Sequence, residues 1–262
     1  MRIPFLRSPP TVAVVRLSGM IASGSRARLS DEVLAPILER AFSKGRPAAV
    51  ALQINSPGGS PAQSSLIAAR IRRLAEEKKI PVHAFIEDVA ASGGYWLATA
   101  ADRIWVDPAS IVGSIGVISS SFGLHDFIAR HGIERRIYTA GKSKSWLDPF
   151  QPEKPEDVER LKRLQEQVHA LFINQVKSRR DGLAEDRDLF NGDVWVGEQA
   201  VEVGLADAVG HLVPKMKAEF GDKVRLRNYG PKRSLFSRFG VQAAAGMIET
   251  VEDRAGFARY GL

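Results

Sequence analysis

The chain has 262 residues, 44% of them hydrophobic and 26% charged, which are ordinary globular proportions. Folding at that length buries roughly 75% of the unfolded surface without disulfide or metal staples, and the absence of cysteine excludes a disulfide framework, thiolate metal sites and a cysteine nucleophile. The net charge is +7, but the basic residues come as scattered pairs, Arg72-Arg73, Arg135-Arg136, Arg179-Arg180 and Lys232-Arg233, so a solvated basic surface is favoured over a nucleic-acid stripe, with attraction to anionic lipid headgroups as the second reading.

Residues 1–10 hold two arginines and three prolines without the apolar run of a signal peptide. No segment supplies the roughly 18 apolar residues of a membrane span. As written, the chain reads as soluble, cytoplasmic or peripheral to an inner membrane. Val12-Ala-Val-Val-Arg-Leu17 is a strand, and Asp31 to Ser43 has helical spacing with Val33, Leu34, Ile37, Leu38 and Phe42 on one side. Ala48 to Ile54 is a nearly continuous apolar run, as in a strand buried on both faces. A helix from Ser60 to Lys79 should bury Leu66, Ile67, Ile71 and Leu74. Pro81 to Glu87 is the next strand, Val89 to Ser92 a small-residue turn, Gly93 to Ala101 a short helix and Arg103 to Val106 a strand. This alternation predicts βαβ units, a mostly parallel sheet and an α/β fold.

Ile111 to Ile118 is β-prone but broken by two glycines, so it must bend or admit another backbone. Ile133 to Thr139 reads as a further strand. A Pro-rich loop over 148–155 leads to a long helix from Glu156 to Arg180, with Leu161, Leu164, Val168, Leu171, Phe172 and Val176 at helical spacing. After Pro231 the texture changes to a peripheral helix, a tail ordered on assembly or a frayed terminus. The divisions are thus an N-terminal extension over 1–10, a main domain over 11–230 and a tail over 231–262.

Two strand-to-helix junctions could carry chemistry. Ser56-Pro-Gly-Gly59 follows a buried strand, where two glycines free backbone N–H groups to face a ligand. Without a following Lys-Ser/Thr it suits an oxyanion better than a phosphate, and a plain turn is an equal reading. Ser92 heads the next helix with Gly93 behind it, as a nucleophile or an N-cap. A serine nucleophile needs a base. None of the five histidines, His83, His125, His131, His169 and His211, is distinguished by position. Lysines 142 and 144 lie beyond a predicted strand, either as solvated loop residues or as a base. Lowering an amine from about 10.4 to about 7–8 takes roughly 4 kcal/mol of differential stabilisation.

Asn55-Ser-Pro-Gly-Gly59, Ala90-Ala-Ser-Gly-Gly-Tyr-Trp96 and Ala109-Ser-Ile-Val-Gly-Ser-Ile-Gly-Val117, in this order, resemble the signal peptide peptidase A (SppA) family and its SohB branch. The similarity runs from about Val12 to Asp207. It implies a Clp/crotonase-like spiral of βαβ units with a mostly parallel sheet and a C-terminal helical extension, acting as a serine peptidase with a Ser–Lys dyad. In the resemblance Ser92 is the nucleophile, Lys144 the general base and Ser114 the residue that orients the lysine; Gly58, Gly59 and Gly93 supply the oxyanion hole. Ser145-Trp146 departs from the family pattern beside the lysine. The resemblance also implies a peptide or protein substrate such as leader-peptide remnants or misfolded or membrane-derived polypeptides. It implies no cofactor, no metal, no nucleic acid, and a homo-oligomeric ring whose subunits share active sites. The competing readings are a crotonase-like acyl-CoA enzyme, a Clp-type protease with a histidine base, and a non-catalytic assembling scaffold.

Overall fold

The computed structural model describes residues 9–24, 29–141, 143–230 and 254–262. The sequence-predicted tail over 231–262 is described only from residue 254, and Lys142 and the Lys232-Arg233 pair lie outside the described residues. Two compact units divide the chain, Met1–Ile115 with Ile173–Leu262, and Gly116–Phe172.

In the first unit, strand β1 (Thr11–Ser18) is followed by helix α1 (Asp31–Ser43), β2 (Ala49–Ser56), α2 (Pro61–Lys78), β3 (Val82–Ala91), α3 (Gly93–Ala98), β4 (Arg103–Val106) and β5 (Ile111–Gly113). Helix α4 (His125–Arg130) lies in the second unit, and α5 (Pro155–Arg179) begins there. The rest is β6 (Val194–Val196), α6 (Glu198–Glu202), β7 (Ala208–Val209), α7 (Leu212–Phe220) and β8 (Arg225–Tyr229). The sheet runs β6-β5-β3-β2-β1-β8, with β4 pairing to β3 and β7. Every pairing is parallel except β5 with β6. The mostly parallel α/β fold expected from the sequence is what forms.

Both faces of the sheet are covered, which is why β1, β2 and β3 read as apolar runs rather than alternations. Leu34, Ile37, Leu38, Ala41 and Phe42 of α1 and Ile67, Ile71 and Leu74 of α2 are buried. On another side of the core, Val12, Val14, Ala49, Ala51, Phe85 and Trp105 pack with Met216 of α7. Helix α1 starts at Ser30, whose hydroxyl accepts from Val33 N, and Asp31 takes a bidentate bond from Arg70 of α2 at 2.7 and 2.8 Å. That guanidinium holds the Asp31 carboxyl below its ordinary value.

Strand β3 positions the site, because it changes partner halfway. Residues His83 to Ile86 pair with β4, and Val89 to Ala91 pair with β5. Against β2 the register jumps from Ile54↔Ile86 to Ser56↔Ala90. Side chains satisfy the backbone at this irregularity. Asn55 Oδ1 accepts from Val89 N at 3.3 Å, and Ser110 Oγ donates to the carbonyls of Ile86 and Glu87. The predicted turn over Val89–Ser92 is therefore strand up to Ala91.

Three further expectations change. Leu66 is 51% exposed, since it sits one residue off the stripe of Ile67, Ile71 and Leu74. Ile133 to Thr139 forms no strand, because no described strand is paired with it; Arg135 turns instead to Asp148. On α5, Phe172 and Val176 are buried, but Leu164 and Leu171 are exposed. The basic pairs are not simply solvated either. Arg179 donates to the carbonyls of Thr99 and Ala101, and Arg180 donates to the carbonyl of Gly204 and pairs with Asp207 at 2.9 Å. Two of these bonds close the C-terminal end of α3, where cations are favoured.

His83 lies in the core, 3% exposed, accepting from Trp105 Nε1 at 3.4 Å. Burial, opposed by the Glu219 carboxylate, holds the imidazole below its ordinary value of 6.5. Below that value the unfolded chain takes up a proton that the folded chain refuses, so stability is full above it and falls as pH drops toward the lowered folded value. Urea unfolding at pH 7.5 and 5.5 should therefore give a lower stability at the acidic pH, with a smaller drop in His83→Phe; an equal drop would remove His83 as its source.

Candidate active site

Ser92 stands where β3 ends and α3 begins. Its φ is +52° and ψ −124°, a conformation that costs a non-glycine residue about 1–3 kcal/mol. It holds the N-cap position of α3, yet its side chain makes no capping hydrogen bond. The cap reading thus gives way, and the hydroxyl is left for another task. The conformation is imposed from both sides. Ser92 N donates to Gly113 O at 2.8 Å, and Ser92 O accepts from Trp96 N at 3.0 Å. All six residues of α3 are buried behind it. Tyr95 anchors the helix by donating to Leu205 O at 2.8 Å, and burial pushes its phenol up, so it remains a donor.

The turn after β2 lies against Ser92. A Cβ on Gly58 would come within 2.8 Å of Ser92 Cβ and 2.9 Å of Gly93 N, and Gly58 itself has φ +107°. Gly59 is bridged to Ile21, with Ile21 N donating to Gly58 O and Ser60 N to Ile21 O. In that pattern the Gly59 amide points away from Ile21. Gly58 N is held at 3.3 Å by the buried Ser56 hydroxyl, which itself donates to Gly19 O at 2.7 Å. Among the described residues, the amides of Gly59 and Gly93 carry no such bond. Helix α3 approaches this turn so closely that a Cβ on Gly94 would stand 2.3 Å from Ser56 O, and one on Gly93 would stand 2.4 Å from Ser64 Oγ. The Gly93-Gly94 pair is therefore a packing requirement.

Ser114 follows β5 and is the neighbour of the residue whose carbonyl holds Ser92. It too has positive φ, +50°, fixed by a bond from Ser114 N to Asp193 O at 2.7 Å. Ser92, Gly58, Gly59, Gly93 and Ser114 thus converge through three chain segments of the first unit. Lys144 belongs to the second unit, in a turn where its N donates to Gly141 O at 3.2 Å; it is exposed. Beside it Trp146 packs under Arg160, 5.9 Å from guanidinium carbon to ring centre.

Neither Ser92 nor Ser114 lines either of two open cavities. One of about 420 Å³ is lined by Phe122, His125 and Asp148 among others, and one of about 450 Å³ by Gln53, Glu87 and His211 among others. Sequence reasoning missed Tyr260, whose hydroxyl donates to Ser114 Oγ at 3.3 Å. No motif or periodicity marks it. The contact joins residues 146 positions apart.

The model of peptidase family S49 matches residues 74–219. An Na+/H+ antiporter NhaA of Brucella melitensis is 48% identical over 271 residues, taking in 96% of this chain and 37% of its own length. The chain thus spans little more than a third of that relative. The probable protease SohB of Haemophilus influenzae is 30% identical over 244 residues, with 92% of this chain and 67% of the relative covered. Among solved structures, a lysine-to-alanine mutant of the 1510-N membrane-bound stomatin-specific protease, in complex with a substrate peptide, superposes with TM-score 0.55. It is 16% identical and covers 94% of this chain and 100% of its own. Among the described residues no helix is long and apolar enough to cross a membrane.

The close approach of α3 yields a stability test. Gly94→Ala drives a methyl into the Ser56 carbonyl and should cost about 1–3 kcal/mol or more in urea unfolding. Gly123→Ala, whose Cβ meets nothing within 4 Å, should stay within about 0.5 kcal/mol.

Proposed function

We propose, for a chain that belongs to peptidase family S49, that it is a serine endopeptidase whose nucleophile is Ser92 and whose general base is Lys144. The observation that carries this reading is the uncapped Ser92 hydroxyl, held at φ +52° beside the two unengaged amides of Gly59 and Gly93. A helix cap would bond its own helix; a nucleophile must not.

In this mechanism the neutral Lys144 amine takes the Ser92 proton as Oγ attacks the peptide carbonyl. The Gly59 and Gly93 amides hold the oxyanion, and losing one such donor costs about 10²–10³ in rate. Gly58 shapes the turn, with its own amide turned to Ser56. Ser114 Oγ orients the amine. Collapse returns the proton to the leaving amine, and water then hydrolyses the acyl-enzyme by the same base. No cofactor enters any step.

Lys144 needs cover to lose its proton, and in the single chain it is exposed. Assembly supplies that cover in the reading we favour, with subunits of a ring sharing sites. The exposed Ile118 and Phe122 near the second unit's start, and Leu164 and Leu171 on α5, are the apolar surface that such contacts would bury. Peptide substrates fit the 1510-N protease mutant, which holds a substrate peptide, and the SohB relative, named a probable protease. Membrane-derived or leader-peptide segments fit the membrane-bound 1510-N protease and the antiporter relative, of which this sequence matches one part. The antiporter's transport activity is not carried over, since the match takes in 37% of its length.

Ser92→Ala and Lys144→Ala should each lower peptidase activity by about 10⁴-fold or more while leaving the fold intact by circular dichroism. A fluorophosphonate probe should label the wild type at Ser92 and leave both variants unlabelled; full activity in either would end the dyad assignment. Native mass should exceed that of one chain. Mixed assemblies of the two inactive variants should regain activity, and the absence of recovery would place each dyad within one chain.

A further inference from the structure

The C-terminal residues 254–262 return to the first unit and touch both walls of the Ser92 site. Residues 254–258 are helical and 259–261 form a turn. Gly256, Phe257 and Tyr260 are half-buried, while Arg254, Ala255, Ala258 and Arg259 are exposed. Positions i, i+1 and i+4 fall on one side of a helix, so this short segment has an inward face.

Two contacts fix where that face lies. Gly256 packs so closely that a Cβ there would meet Met20 Sδ at 2.6 Å and Pro57 Cγ at 3.1 Å. One turn later, Tyr260 donates its hydroxyl to Ser114 Oγ at 3.3 Å. Pro57 is the residue before Gly58, whose Cβ would stand 2.8 Å from Ser92 Cβ. Ser114 is the residue after Gly113, whose carbonyl accepts the Ser92 amide. The segment therefore touches both the turn after β2 and the serine on the other side of Ser92, through residues four positions apart.

We propose that the surface formed by Met20, Pro57 and Ser114 is a binding site for the chain's own C-terminal segment, residues 254–262, and that a peptide substrate must displace this segment to reach Ser92. The occupant is specified by its fit. Gly256 allows the approach to Pro57, and the Tyr260 hydroxyl occupies Ser114 Oγ, the group assigned above to orient the lysine amine. A bound tail therefore blocks access and removes a hydrogen-bonding position from the dyad. The part concerning substrate rests on the peptidase reading; the docking itself does not.

The test compares the full chain, a chain ending at Asp253, and the full-length variants Tyr260→Phe and Gly256→Trp. The readouts are the rate of fluorophosphonate labelling at Ser92 and the split between KM and kcat on a fluorogenic peptide. A cover closed nine-tenths of the time slows access about tenfold. Removing the segment should accordingly speed labelling and lower KM several-fold with kcat kept or raised. Gly256→Trp should behave similarly, and Tyr260→Phe should lie between. A fluorescent synthetic peptide of sequence 254–262 should bind the truncated chain and inhibit it competitively, and the same peptide carrying Gly256→Trp should not bind. Where the full chain labels at Ser92, equal or slower labelling after truncation overturns the proposal, because it would make the segment a passenger or a support for Ser114. If neither form labels at Ser92 but the peptide binds the truncated chain, the docking site stands and the peptidase reading falls; failure of the peptide to bind removes the docking site.

Discussion

The hydrogen bond from Ser92 N to Gly113 O, 2.8 Å long, is the interaction on which the candidate site depends. It ties the end of β3 to the end of β5 and turns the chain sharply between strand and helix. Ser92 carries its strained backbone because both of its peptide groups are bonded and the helix behind it is buried. Strain of about 1–3 kcal/mol persists only where surrounding structure over-determines it. Here that structure includes the Tyr95 anchor to Leu205, the arginine closure of the end of α3, and contacts with the turn after β2.

The division of β3 between two partner strands has the same purpose. A strand paired along its whole length with one neighbour would continue straight. Switching from β4 to β5 lets β3 reach past β4, and the jump in register against β2 leaves backbone groups that Asn55 and Ser110 satisfy. Each buried polar group left unbonded at such a place would cost about 1–3 kcal/mol. Asn55 and Ser110 therefore belong to the architecture of the site without any need to touch substrate. Ser56 likewise bridges Gly19 O and Gly58 N inside the core, setting the turn that faces Ser92.

The first unit brings together Ser92, the glycine amides and Ser114, while Lys144 belongs to the second. The chemistry proposed for Lys144 calls for a desolvated amine, whereas its side chain is exposed in the single chain. The tail segment touches the turn after β2 with a glycine and Ser114 with a hydroxyl, all within the first unit.

The α/β class, the parallel sheet and the bounds of α1 and β4 were legible in the residues, since apolar runs and helical spacing follow from what each element must bury. The three glycine-rich motifs marked both junctions of the site, because only a residue without Cβ allows α3 to lie against Ser56 and Gly58. Other features depended on contacts distant in sequence. Leu164 and Leu171 fit the spacing of a buried face yet lie exposed, because spacing describes a helix and burial requires something packed against it. Ile133 to Thr139 had strand composition but no partner. The free Ser92 hydroxyl, the arginine closure of α3 and the approach of Tyr260 to Ser114 arise only when distant segments meet. Local sequence governs which backbone shapes are cheap, whereas the partner of each donor and acceptor is set by the folded chain as a whole.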